Sequence, residues 1–98
     1  MAKYDLDMTV KFKRDIKKAK KRGLDIPLLY ELVDKLLNGE QLPEKNHDHL
    51  LSGEYEGLRE CHIQPDWLLI YDRAESIKLI TLQRTGTHSD LFKKKSKK

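Results

Sequence analysis

The chain opens with alternation. Tyr4-Asp5-Leu6-Asp7-Met8 sets apolar against polar side chains with period two, the pattern of a short, half-buried edge strand. Thr9 then stands where it can cap a helix. Val10, Phe12, Ile16 and Ala19 give that helix a narrow apolar stripe, lysines and arginines cover nearly all the rest, and Gly23 supplies a stop. A second helix begins near Asp25, with Pro27 in its first turn, where a missing N–H costs nothing. Leu28, Leu29, Leu32, Val33, Leu36 and Leu37 recur at helical spacing as a broad core-facing stripe, and Asn38-Gly39 ends it.

From Glu40 to Glu56 the pattern is that of a loop, broken by Pro43, Asn46, Asp48 and Gly53. A loop of that length, carrying His47 and His49, suggests a binding element. Three strands are predicted next, over Gly57–Gln64, Trp67–Asp72 and Ile77–Arg84. Turns at Pro65-Asp66 and at Arg73-Ala74-Glu75-Ser76 join them into an antiparallel meander. Strand parity puts Glu60, His62 and Gln64 on one face, with Cys61 and Ile63 on the other. Parity also groups Arg84 with the apolar Ile80 and Leu82, so a bulge or the strand's end must redirect Arg84 if it joins the polar face. A short turn or helix through Leu91-Phe92 precedes the tail Lys93–Lys98, too charged to fold by itself. The expected fold is α+β, one domain over residues 1–92: two N-terminal helices packed on one face of a small antiparallel sheet, the opposite face open.

Charge sharpens this picture. Of the twenty Lys and Arg, eight lie between Lys11 and Arg22 and five between Lys93 and Lys98. Such segregation points to an anionic partner, nucleic acid first, although lysines also keep small proteins soluble. The single cysteine, Cys61, permits no intrachain disulfide, and the first residues lack the apolar core of a secretory signal. No run is long enough to span a bilayer, so a cytoplasmic home is expected.

The candidate chemistry gathers around His62-Ile63-Gln64-Pro65-Asp66-Trp67 and Arg84-Thr85-Gly86-Thr87-His88. Imidazoles suit acid and base roles near neutral pH, a guanidinium stabilises phosphate charge, and Trp67 or Phe92 could stack on an unpaired base. Those are the needs of metal-free RNA cleavage. Other readings stand beside it. His47 and His49 with His62 and Asp66 could hold zinc, though no HExxH or paired CxxC spacing is present. His62 could decorate a solvent face while Asp66 caps a turn. A Cys61–His62 nucleophile pair is disfavoured, because strand neighbours point to opposite faces.

The stretches Tyr55–Tyr71 and Leu82–Phe92, carrying HxxPDW and RTGTHxxLF, resemble the YafQ branch of the RelE toxin superfamily. His49-Leu50-Leu51-Ser52-Gly53 is similar to that branch's His-x-Leu-x-Gly element, and the likeness covers nearly the whole chain. The resemblance implies a RelE-like fold and a type II toxin that cuts mRNA in the ribosomal A site without metal or other cofactor. It implies His49, His62, Asp66 and His88 as the catalytic set, with Trp67, Arg84 and Phe92 positioning substrate or stabilising charge. His47 has no counterpart in the pattern. The implied partners are mRNA, the ribosome and a cognate antitoxin; Lys11, Lys13, Arg14, Lys17, Lys18, Lys20, Lys21 and Arg22 would grip ribosomal RNA or an acidic stretch of the antitoxin. The competing function is a non-catalytic RNA- or protein-binding module on the same fold.

Overall fold

Both long helices begin where their capping side chains stand. The Thr9 hydroxyl accepts the Phe12 N–H at 3.0 Å to start α1 (Val10–Lys21), and the Asp25 carboxylate accepts the Leu28 N–H at 3.3 Å to start α2 (Ile26–Leu37). Gly23 between them takes φ +81°, the left-handed geometry that ends α1. Thr9 also donates to the Gln83 carbonyl at 2.8 Å, pinning the start of α1 to the last strand. These features belong to a computed structural model that describes residues 2–92; the basic tail expected over 93–98 lies outside the described residues.

Five strands form one sheet: β1 (Asp5–Met8), β2 (His49–Leu50), β3 (Arg59–Gln64), β4 (Trp67–Ala74) and β5 (Leu79–Gly86), in the order β1-β5-β4-β3-β2. The β3-β4-β5 meander is antiparallel, as the turn residues predict, and β2 joins it antiparallel. β1 instead runs parallel to β5, pairing Asp5 with Leu79 and Met8 with Leu82. No tight turn links these two strands, so nothing local dictates an antiparallel direction. The predicted loop over 40–56 is subdivided by 3₁₀ turns at Glu44–Asn46 and Gly53–Tyr55, with β2 between them. A four-residue helix, α3 (His88–Leu91), follows β5.

β4 is buried on both faces, which explains why Trp67-Leu68-Leu69-Ile70-Tyr71 is continuously apolar. Toward the helices, Trp67, Leu69 and Tyr71 pack with Phe12, Leu29, Leu36, Ile80 and Leu82. On the other face Leu68 and Ile70 meet Leu91 of α3, flanked by Leu51, Tyr55 and Leu58. The face opposite the helices is therefore open over part of its area and capped by a second apolar cluster over the rest. Among the described residues no helix is long and apolar enough to cross a membrane.

The parity problem at Arg84 is resolved by a bulge. Ile70 pairs with Arg84 while Tyr71 pairs with Leu82, so Gln83 is the extra residue and Arg84 changes face. The cross-strand row His49–Glu60–Ile70–Arg84 results, with His62–Leu68–Gly86 as the next row.

One expected site residue moves. Trp67, read as a stacking surface for a base, is 2% exposed in the helix-side core, so it cannot offer a ring face to a ligand. Its parity is that of Leu69 and Tyr71 rather than of His62. Trp67→Ala is expected to cost about 3–5 kcal/mol by urea unfolding. Trp67→Phe should retain most of the stability, since the indole Nε1 it discards has no hydrogen-bond partner. An unchanged midpoint for Trp67→Ala would return the indole to the surface.

Candidate active site

The Pro65-Asp66 turn projects its carboxylate toward the start of α3. Asp66 Oδ1 accepts the His88 backbone N–H at 3.0 Å and lies 2.6 Å from His88 Nδ1. These contacts hold the Asp66 carboxyl below the usual carboxylate range, the backbone N–H contributing most and the imidazole next. With Asp66 ionised, His88 carries its Nδ1 proton against the carboxylate and leaves Nε2 free to face a substrate.

His62, on the neighbouring strand pair, presents its ring 5.6 Å from that of His88. Partial burial is the main cause pulling its pKa below the ordinary imidazole value, opposed by the Glu60 carboxylate and aided by the neighbouring histidines. An imidazole biased toward its neutral form thus faces one that is hydrogen-bonded to a carboxylate. That is the arrangement a base and an acid require on either side of a phosphate.

Around this pair stands a file of aromatic rings. His47 to His62 is 5.1 Å between centroids, His88 to Phe92 is 6.5 Å, and Phe92 to Tyr55 is 5.5 Å edge to face. Phe92 is 37% exposed, so part of its ring lies at the surface. His49 sits at the edge of the group, with Nε2 3.1 Å from Glu60 Oε1 and Nδ1 2.6 Å from the His47 carbonyl oxygen.

Arg84 reaches the same face of the sheet but not the histidines. Its Nε and Nη2 contact Asp15 of α1 at 2.7 and 3.2 Å, and this pairing, with a smaller contribution from Tyr55, raises its pKa. It lies two strand spacings from Glu60 along the shared row, roughly 10 Å. Asp15 engages Nε and Nη2 and leaves Nη1 unpaired with it.

Two residues enter that the motif does not contain. His47 adopts φ +48°, a strained conformation for a side chain with a Cβ, and places its ring against His62. Glu60 is 5% exposed, a buried carboxylate whose oxygen lies within 4.8 Å of the ligand nitrogens of His62 and His88. Strand parity points to Glu60, since it shares the face of His62. His47 leaves no such signal, because its position depends on a left-handed turn. The donors that could hold a divalent ion are accordingly Glu60, His62 and His88, and the zinc set of His47, His49, His62 and Asp66 is not what the fold assembles. Cys61 is fully buried and burial pushes its thiol up, which removes it as a nucleophile.

The basic helix divides into two groups. Arg22 forms a two-point contact with Asp90 at 2.7 and 3.3 Å, and Lys18 lies 3.9 Å from the same carboxylate. Lys11, Lys13, Arg14, Lys17, Lys20 and Lys21 are exposed and have no ion-pair partner among the described residues.

Comparison with known proteins gives concordant matches. Residues 4–93 match the family model described as "Bacterial toxin of type II toxin-antitoxin system, YafQ". The mRNA interferase toxin YafQ of Escherichia coli strain K12 is 39% identical over 93 residues, covering 94% of this chain and 99% of the relative. In the crystal structure of the E. coli DinJ-YafQ toxin-antitoxin complex, one chain matches with a TM-score of 0.83 at 38% identity, over 92% of this chain and 98% of that one. The crystal structure of a metal-bound toxin from Helicobacter pylori matches with a TM-score of 0.84 at 38% identity, over 94% and 100%.

Because Glu60 opposes the burial effect on His62, Glu60→Gln is expected to lower the His62 pKa further. An NMR titration of the imidazole reads this directly. A His62 midpoint that stays in place or rises would take Glu60 out of the electrostatics of the site.

Proposed function

The chain belongs to the YafQ family of bacterial type II toxins, and we propose that it works as a ribosome-dependent endoribonuclease, cutting mRNA in the A site. As an mRNA interferase toxin it acts on RNA, and the Asp66–His88 contact beside a partly buried His62 is the observation that carries the mechanism. His62 takes the proton of the 2′-hydroxyl as its oxygen attacks the adjacent phosphorus. The bond from phosphorus to the 5′-oxygen breaks, and His88, oriented through Nδ1 by Asp66, delivers its Nε2 proton to the leaving oxygen. Nη1 of Arg84 stabilises the charge that builds on the phosphorane. His49 contributes a phosphate contact at the edge of the group, and Phe92 stacks on a splayed base. The products are a 2′,3′-cyclic phosphate and a 5′-hydroxyl end. The reaction as written needs no metal. Trp67 has no direct part in it.

A cognate antitoxin neutralises the toxin, a reading supported by the DinJ-YafQ complex of the relative. Docking on the ribosome, and hence a cytoplasmic site of action, is assigned to Arg14 and the lysines of α1 other than Lys18, which are exposed and have no acidic partner among the described residues to cancel their charge.

His88→Ala is expected to lower cleavage of translated mRNA by roughly 10²–10⁴-fold, the typical contribution of a proton-transfer group. Primer extension after induction, and on programmed ribosomes in chelator-containing buffer, checks it. Codon-phased 5′ ends that vanish in the variant support the mechanism. Wild-type cutting by His88→Ala removes His88 from it, and translational arrest without cuts from the unaltered protein would favour a binding module.

Neutralising Lys13, Lys17 and Lys20 together should weaken ribosome binding and make log K less steep against log salt, by about one for each phosphate that is no longer neutralised. An unchanged slope would place the RNA-binding surface elsewhere.

A further inference from the structure

α3 is too short to hold itself. A helix of four residues has almost no intrinsic stability, yet its first residue is His88, whose ring must stay aimed at the reacting phosphate. Its tethers come from several directions. The Thr87 hydroxyl accepts the Asp90 N–H at 3.1 Å, and Asp90 Oδ2 accepts the Thr87 N–H at 3.0 Å. The Tyr55 hydroxyl donates to the Leu91 carbonyl at 3.1 Å, and Leu91 itself is buried over β4. Asp66 holds the His88 end. From α1, Arg22 grips both oxygens of Asp90.

The last two tethers do something the others cannot. Residues 88 and 90 lie roughly 200° apart around a helix, so Asp66 and Arg22 pull on opposite sides of α3. Two tethers on opposite sides determine the rotation of the turn about its axis, and with it the direction of the His88 imidazole. The fit around the second tether is close: a Cβ on Gly86 would come within 2.9 Å of Asp90 Oδ2. α1 is itself a rigid anchor, since Asp15 at its middle accepts both Arg84 and the Thr85 N–H at 3.1 Å. Resting on the assignment of His88 as the acid, we propose that Arg22 and Asp90 are a positioning pair for His88, and that Arg22 serves the site rather than the RNA-docking surface of the basic helix.

Arg22→Gln separates the two roles, and Arg22→Lys, which keeps the charge but not the two-point grip, provides a graded second variant. Positioning predicts a fall in kcat of about 10–100-fold for Arg22→Gln on programmed ribosomes with KM little changed, the size expected when a reacting group moves by an ångström or less. Arg22→Lys should recover part of it. Docking predicts the reverse, a raised KM and a shallower salt dependence with kcat unchanged, as for Lys20→Gln, and would overturn the proposal. An activity-free readout accompanies it. Loosening α3 weakens the hydrogen bonds from His88 that depress the Asp66 carboxyl, so the Asp66 titration followed by carboxyl NMR should move up toward the usual carboxylate range in both variants. If His88→Ala proves fully active, the catalytic reading fails while this titration still reports on positioning. A titration identical to that of the unaltered protein means that Arg22 does not set α3.

Discussion

The burial of β4 on both faces is the constraint from which the site follows. A strand reading Trp67-Leu68-Leu69-Ile70-Tyr71 cannot leave either side in water. α1 and α2 cover Trp67, Leu69 and Tyr71. Leu68 and Ile70 are flanked by Leu51, Tyr55 and Leu58, and the segment after β5 folds back to cover them with Leu91. That return carries His88 over the sheet, three residues before Leu91, and delivers it to Asp66 and His62. Hydrophobic packing thus assembles the candidate site; the polar interactions then refine its angles.

Charge is divided along the same lines. On the site face two carboxylates touch imidazoles: Asp66 with His88, and Glu60 with His49. The surroundings of the two imidazoles differ, although their rings are only 5.6 Å apart: partial burial pulls the pKa of His62 down, while His88 is oriented by a carboxylate. Asp15 of α1 and Arg22, which caps the C-terminus of α1, pair with Arg84 and Asp90, while the lysines of α1 are exposed. One helix therefore carries both an internal brace for β5 and α3 and an external cationic surface.

Much of the site is legible in the chain, and particular residues show where legibility stops. Alternation along β3 places Glu60 and His62 on one face, and that holds. The motif spacing singles out Asp66 and His88, which do meet. Arg84 is ambiguous because period-two counting assigns it to the core; a bulge at Gln83 reverses its face, and bulges carry no clear mark in residue types. Trp67 is misplaced by its chemistry, because an indole suits both a core and a stacking platform, and exposure decides between them. His47 has no pattern at all, since its place rests on a single left-handed residue.

The amino-acid sequence by itself determined the elements: both caps of the long helices, the leucine face of α2, and the meander and its turns. Those are local properties, set by backbone preference and hydrophobic period. Tertiary structure decided which strand β1 joins and in which direction, that part of the supposedly open face is capped, and that Arg22 pairs with Asp90. These depend on pairs of residues up to 74 positions apart, such as Thr9 with Gln83, and such pairs leave no periodic signature. They are settled by which surfaces can be buried together.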